Sequence, residues 1–577
     1  MPPSRKDSAA VSKRTKSSFT KTATVEPAAN SVAWSERLRP WLESKSLLLA
    51  AAAVLIATLR IAATYPVFNH TIDEPTHLGC GMEWLSRGTY LLEPEQPPLA
   101  RIFSALGPFL AGERSEGRTD SYKEGAAILY HNWKYERNLT LARIGTLPFL
   151  WLACAVLYVA GVRWYGHAQA ALAVILFTLL PPILAHASLA TTDMALTATF
   201  GLALFTLVLW AEHPAPGLAM GALVGFCCAL AFLSKFSSLA FLAACAGLML
   251  VWMLVSESGF APLGRLVTVR RAWSVLVAVL VAAVTIWAGY RFHMKGGLPA
   301  PELFTGLRDL FGHQAHGHPS YLLGARSLSG FWLFYPVALA VKTPLGLLGL
   351  LAGGIALAWR GRKKLAWSMP LACIAGILTV GLYSDINIGT RHVLPIYFFF
   401  ALLASVFAWD WLGKTSQHRW MGWTVVVLTG WLVLSGALNH PDYLAYFNEL
   451  AGDEPERILA DSDLDWGQDM LRLSARLREL GAQSVTFSPF INAYLHDYHG
   501  FPPIQDSDPA SPSPGWNAVS ITVWKVARMG LYEQHKDVQL WPDLVKPRER
   551  VGRGVLLYYF PPAENAPQAQ TPQAQGR

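Results

Sequence analysis

The sequence predicts an α-helical polytopic membrane protein of about eleven transmembrane helices followed by a small α/β unit, and three observations carry that expectation. Hydrophobic residues make up 53% of the 577 positions and charged residues only 15%, at a mean hydropathy of +0.30. Soluble chains carry about 25% charge. Apolar runs long enough to cross a bilayer, about 20 residues, recur along the chain. The basic residues between those runs fall on alternate sides, as the positive-inside rule requires. Of 22 Trp and 19 Tyr, many suit anchors at span ends. The net charge of +8 is spread over loops and an N-terminal tail, so it reads as membrane orientation, and no nucleic-acid partner is expected.

Taken in order, residues 1–45 are rich in Ser, Thr, Ala, Lys and Arg and read as a disordered basic tail on the cytoplasmic side. The apolar run that follows is too long for a signal peptide. Spans are expected at 46–68, 139–162, 168–187, 190–211, 216–234, 237–256, 272–293, 329–358, 365–383, 391–412 and 420–439, a membrane domain over 46–439. With the tail inside, Arg265, Arg270, Arg271, Arg360, Arg362, Lys363, Lys364, Lys414 and Arg419 also fall inside. Loops 69–138 and 294–328 and everything from 440 then lie outside. The first loop carries two stretches at helical spacing, 74–87 and 97–111, expected to lie on the membrane as amphipathic helices. Residues 440–560 read as an extracytoplasmic α/β domain. Strands are expected at 457–461, 484–488, 518–524 and 554–560, with a helix over 468–480 closed by Gly481. Residues 561–577 are a Pro/Gln/Ala tail. Five of the six cysteines lie in apolar runs, so no disulfide framework is expected.

Orientation gathers Asp73, Glu74, Asp193, Lys235, Asp385 and Arg391 at the outer ends of spans. Each alone is more often a solvated charge; together they form an acidic and basic constellation on one face. In Asp73-Glu74-Pro75, proline favours a helix start, with Glu74 as its cap and the helix dipole keeping carboxylates ionised. A merely well-capped helix explains the same residues. Lys342 lies deep in an apolar run, so it needs a partner, a cavity or a route outward for its charge, and Pro344 frees a backbone carbonyl nearby. His313, His316 and His318 sit close together on what reads as a Gly/Pro-rich loop, without the helical spacing of a zinc site, and no metal site is assigned. Asp461, Asp463, Asp465 and Asp469 resemble the opening of a calcium loop, but Trp466 and Arg472 stand where Gly and Glu belong. A strand end followed by an Asp-capped helix accounts for them. Walker A, GxSxG and HExxH motifs are missing, which removes ATP-driven pumps, lipases and zinc proteases of those types.

Asp73-Glu74, GMEWLSRGTYLLEPEQPPLAR, HASLATTDMAL, YLLGARSLSGFWLFYPVALAVKTPL, DINIGTRHVLPIYFF and DSDLDWGQD occur in this order. Over 46–560 the chain thereby resembles the C-type glycosyltransferases, in particular the bacterial branch related to protein O-mannosyltransferases (glycosyltransferase family 39) and the lipid A aminoarabinose transferases. The resemblance implies a C-type glycosyltransferase fold in the bacterial inner membrane, a polyprenyl-phosphate-sugar donor, and a lipid, glycan or protein hydroxyl as acceptor. It implies inversion at the anomeric carbon with Asp73 as general base beside Glu74. Lys342, Lys235, Arg391 and His392 are the candidates for the donor phosphate. Gln96, Asp193 and Asp385 complete the candidate site. The resemblance fixes no cofactor, a divalent cation being the one to consider. A polyprenyl-lipid flippase and a non-catalytic assembly subunit are the alternatives. The outer α/β unit is expected to gate the acceptor and to leave donor binding to the bundle and first loop.

Overall fold

The computed structural model describes residues 34–256, 267–508, 510–527 and 540–562; most of the expected tails, 1–33 and 563–577, lie outside them. Each of the eleven expected spans carries a helix. Among the described residues, seven helices are long and apolar enough to cross a membrane, and three bent pairs bring the number to as many as ten. The expected span at 216–234 is the shorter apolar helix Leu218–Ser234. The chain is therefore a multi-pass helical membrane protein, and the span count follows from how these broken elements are treated.

The breaks have a local cause. The residue before a proline is pushed out of the α region, and proline offers no N–H to the preceding turn. Leu180 (ψ 121°) precedes Pro181-Pro182, and Thr343 (φ −97°, ψ 128°) precedes Pro344. The helices flanking these points, His167–Thr178 with Pro181–Ala187 and Phe334–Lys342 with Leu345–Gly361, meet at 70° and 116°. A helix also occupies Trp34–Ser44, where the sequence suggested disorder. Leu38 and Leu42, four apart, pack against Ala168 and Trp409, and Arg39 lies 4.3 Å over the Trp409 ring.

Helix Ile396–Gly413 is nearly enclosed at the bundle centre, whereas Val269–Gly289 turns Val275, Leu276, Val279, Leu280 and Val284 outward. In water that face would be unstable; in lipid it is solvated.

The first long loop folds as helices Glu74–Ser86, Pro98–Leu110 and Ser121–Tyr130. The first of these is not amphipathic. Its residues 74–83 are all buried, because glycines let its neighbours close in on two sides. A Cβ on Gly81 would stand 2.0 Å from the Arg101 carbonyl oxygen, and one on Gly125 would stand 1.7 Å from that of Pro75. The second helix does divide, but with a polar side inward: Arg101 and Ser104 are buried while Leu106 and Leu110 are exposed.

The C-terminal unit is a five-stranded mixed sheet. Its spatial order is Ile504–Gln505, Val485–Ser488, Gly515–Ser520, Val555–Phe560, Glu549–Val551. The first three strands run parallel and the last two pairings are antiparallel. Helix Met470–Glu479 lays Met470, Leu473 and Leu477 into the sheet's core, and Gly481 ends it at φ +64°. The strand expected at 457–461 does not form. Pro455–Arg457 and Asp461–Asp463 are short 3-10 turns, and Asp461 takes a left-handed φ of 60°.

Candidate active site between the bundle and the sheet unit

Asp73 is the residue at which helix Glu74–Ser86 begins; its side chain makes no capping bond. Its Oδ2 instead accepts a hydrogen bond from Arg391 Nη1 at 2.9 Å. The Asp73 side chain is 26% exposed, and its other oxygen accepts no hydrogen bond from a described residue. Arg391 sits on the short turn Thr390–Val393 that precedes helix Ile396–Gly413. Its guanidinium lies 4.1 Å over the ring of Trp466, and its Nε is buried without a partner. A buried guanidinium N–H left unsatisfied is rare and marks a place for an anion or water.

Behind this pair, Lys235 Nζ donates to Asp193 Oδ1 at 2.7 Å, and Thr191 Oγ1 donates to Asp193 Oδ2 at 3.2 Å. Asp193 opens helix Asp193–Glu212 and Lys235 directly follows helix Leu218–Ser234. The fields of Asp193, Asp73 and Asp461 all act on Arg391. His392 feels Lys235, Arg391, Asp193 and His318, which puts it in the same cluster. His77 joins from the loop helix. Burial and the Arg101 guanidinium hold its imidazole well below the ordinary range, so it is neutral here. His318 is likewise lowered to about 4 by burial and by His313.

Glu74 has a different fate from its neighbour. Arg143 Nε and the Ala190 N–H donate to its Oε1, each at 2.9 Å; Arg143 Nη2 at 2.9 Å and the Thr71 N–H at 2.7 Å donate to Oε2. Burial pushes this carboxyl up, but Arg143 and these donors bring it below the ordinary value. No oxygen is left over for a substrate. The cap expected of Glu74 is thus an ion pair that ties the loop helix to the C-terminal end of helix Tyr135–Ile144.

Lys342 is buried, and its partners are carbonyls. Nζ donates to Leu444 O at 2.7 Å and Asp463 O at 2.5 Å, 4.4 Å from the Phe447 ring centre. The carbonyl that Pro344 frees, Ala340 O, accepts from Asn448 Nδ2 at 2.6 Å. That amide also donates to Thr343 O, and the Asn448 N–H donates to Val341 O. Gln96 accepts through its backbone oxygen from Tyr90 and Arg101, with Oε1 buried and unpartnered. Asp385 is half-buried and makes no hydrogen bond to a described residue, so it is not gathered into the cluster.

His313 and His316 end a helix, Pro301–His316, rather than lying on a loop. Pro301 starts that helix and Gly317 at φ +75° stops it. His313 bridges Glu95 Oε1 (2.7 Å) and His318 Nδ1 (3.2 Å).

Sequence reasoning missed three contributors. Arg143, a lone cation where an apolar helix begins, was the signal for Glu74's partner. Trp466 was read only as a misfit in a calcium loop. Asp461, read as part of a strand end and capped helix, instead faces Arg391 and Asp73, and burial pushes its carboxyl up to about 7. Segments 69–72 and 466–470 are sewn together at this point. Asn69 Nδ2 donates to Gly467 O and its Oδ1 accepts from the Met470 N–H, both at 2.7 Å; the Ile72 N–H donates to Trp466 O.

No curated protein sequence matches the chain. Among solved structures it is similar to ArnT from Cupriavidus metallidurans bound to undecaprenyl phosphate, at TM-score 0.47 and 15% identity over 68% of this chain and 72% of that one. The archaeal oligosaccharyltransferase AglB from Archaeoglobus fulgidus, in complex with an inhibitory peptide and a dolichol-phosphate, gives 0.41 and 14% over 68% and 54%. The S. cerevisiae Pmt1-Pmt2 complex bound to its sugar donor gives 0.32 and 18% over 50% and 40%. Residues 52–294, which carry Asp73, Glu74, Gln96, Asp193 and Lys235, match the model of the dolichyl-phosphate-mannose-protein mannosyltransferase family, and the family resemblance read from the motifs is borne out there.

Proposed function

We propose that this protein transfers a sugar from a polyprenyl-phosphate donor to a hydroxyl acceptor at the outer membrane face, with inversion and with Asp73 as general base. One observation carries the reading: a half-open carboxylate, Asp73, shares its site with a buried guanidinium that has an unsatisfied N–H. The acceptor oxygen attacks the anomeric carbon as the C–O bond to phosphate breaks. The phosphate leaves with the bonding electrons, and the hydroxyl proton passes to Asp73. Arg391 and Lys235 are the cations for the leaving phosphate. Asp73 holds the acceptor hydroxyl by the oxygen that Arg391 leaves free. Neutral His77 and His318 add no charge to this balance. Glu74 and Lys342 act on the frame, as an internal strut and as a clamp on the sheet unit, instead of on the donor.

In purified protein supplied with a polyprenyl-phosphate sugar, Asp73→Asn should lower turnover by roughly 10²–10⁴-fold while donor binding and folding persist. Near-normal transfer by this variant removes the base assignment; donor binding without any transfer by the unaltered protein favours a lipid carrier. The orientation, N-terminus in the cytoplasm of a bacterial inner membrane and sheet unit outside, rests on charge alternation. A cysteine placed at exposed Asp120 should react with an impermeant maleimide in intact cells, and reaction only after permeabilisation reverses the register.

A further inference from the structure

We infer that the C-terminal sheet unit is part of the donor site, with Asp463 and Trp466 as the positioning residues that hold Arg391 on Asp73. The inference rests on the proposed function and reverses the expectation that donor binding needs only the bundle and first loop.

The turn that bears Arg391 has few supports of its own. Gly389 stands at φ +138°, and a short 3-10 turn follows it. Val393 packs into the bundle core, but the side-chain hydrogen bonds that hold residues 388–390 come from the sheet unit. Asp463 accepts from the Thr390 N–H at 3.0 Å and from Thr390 Oγ1 at 2.7 Å. Ser462 Oγ donates to Ile388 O. Trp466 forms the floor under the guanidinium. The 461–463 turn is itself anchored at both ends: Lys342 binds the Asp463 carbonyl, and the Asp461 N–H donates to Thr522 Oγ1 at 3.0 Å in the sheet unit. A Cβ at Gly389 would lie 2.5 Å from Ser462 Oγ, so the two turns meet without slack. Arg391 therefore has its direction set by a separate part of the chain. Its unpartnered Nε then points to an anion as the ligand that completes it.

The test uses full-length detergent-purified protein and undecaprenyl phosphate as the binding probe. Trp466→Leu removes the floor, and Thr390→Val removes a hydroxyl donor from the bundle side at almost constant shape. Each should weaken binding roughly 5- to 30-fold, and Trp466→Phe should recover most of it. In a double-mutant cycle, Trp466→Leu on an Arg391→Met background should cost almost nothing further, because its effect passes through Arg391. Full additivity in that cycle, or native affinity in well-folded Trp466→Leu and Thr390→Val proteins, overturns the inference. If Trp466→Leu does not fold, Thr390→Val in the same cycle decides. Should Arg391→Met alone leave binding unchanged, the phosphate role of Arg391 in the proposed function fails instead.

Discussion

Asp73 and Glu74 are adjacent carboxylates, each paired to an arginine, and their surroundings differ in almost every other respect. The Glu74–Arg143 region is closed: both side chains are 1% exposed and every carboxylate oxygen is taken. The Asp73–Arg391 region is open: one carboxylate oxygen and one guanidinium N–H wait for partners. A closed pair stores its interaction energy in the fold. An open pair can exchange it for contacts with a ligand, and the structure separates the two tasks by a single residue along the helix start.

The largest expected effect lies in the closed region. Arg143→Leu orphans a buried carboxylate and should destabilise the protein by about 3–5 kcal/mol, seen as lost yield and a lower unfolding temperature in detergent. Asp73→Asn should shift that temperature little. If both variants unfold alike, the division between strut and site is wrong.

Lys342→Met is an intermediate case. Removing the charge relieves its desolvation but leaves the Leu444 and Asp463 carbonyls without a donor. We expect a loss of about 1.5–3 kcal/mol with the donor-binding defect following from displacement of the sheet unit. A variant of native stability with weakened donor binding would instead put Lys342 on the phosphate.

The effect that is smallest per pH unit is also the most discriminating, because the two regions respond to pH with opposite signs. Glu74 is held below its ordinary value, so its contribution is present above about pH 4.5 and is lost as pH falls. Asp461, in the open region, is raised to about 7. The folded state then binds more protons than the unfolded state between about pH 4 and 7, and stability falls as pH rises through that window, by about 1 kcal/mol per unit. Asp469, raised to about 6 by burial, has the same sign over a narrower window. Unfolding temperatures of Asp461→Asn across this range should show a flatter slope than the parent; an unchanged slope excludes Asp461 as the titrating group.

Much of the fold was legible because membrane solvation leaves a coarse signal. Apolar length located a helix in every expected span but not the helix Trp34–Ser44, and Pro344 located one break while the one at Pro181 went unread. The loop helix Glu74–Ser86 was found in place but misjudged in setting. Its glycines permit backbone contacts on two faces, and a one-dimensional pattern does not say whether a face meets lipid or protein. The turn at 455–463 was mistaken for a strand because its apolar Ile458 and Leu459 resemble one. Pro455 and the left-handed Asp461 were the local evidence against it. Orientation alone put Asp73, Asp193, Lys235 and Arg391 on one face, and the structure pairs Asp73 with Arg391 and Asp193 with Lys235. Partner choice was not legible: that Lys342 would bind carbonyls, Glu74 would bind Arg143, and Trp466 would carry Arg391 depends on contacts between segments 69 to 121 residues apart.

Asp73 and Arg391 lie 318 positions apart in the chain, and that separation has a consequence for synthesis. At roughly 5–20 residues per second, the carboxylate would emerge on the order of 15–60 s before its guanidinium, and Trp466 would arrive later still. During that interval the first loop can fold on Glu74 and Arg143, which are neighbours in time as well as space. The half-made protein would then be stable yet unable to grip a phosphate. Under the proposed function, assembly order alone would keep a nascent chain from engaging donor lipid before the sheet unit has formed.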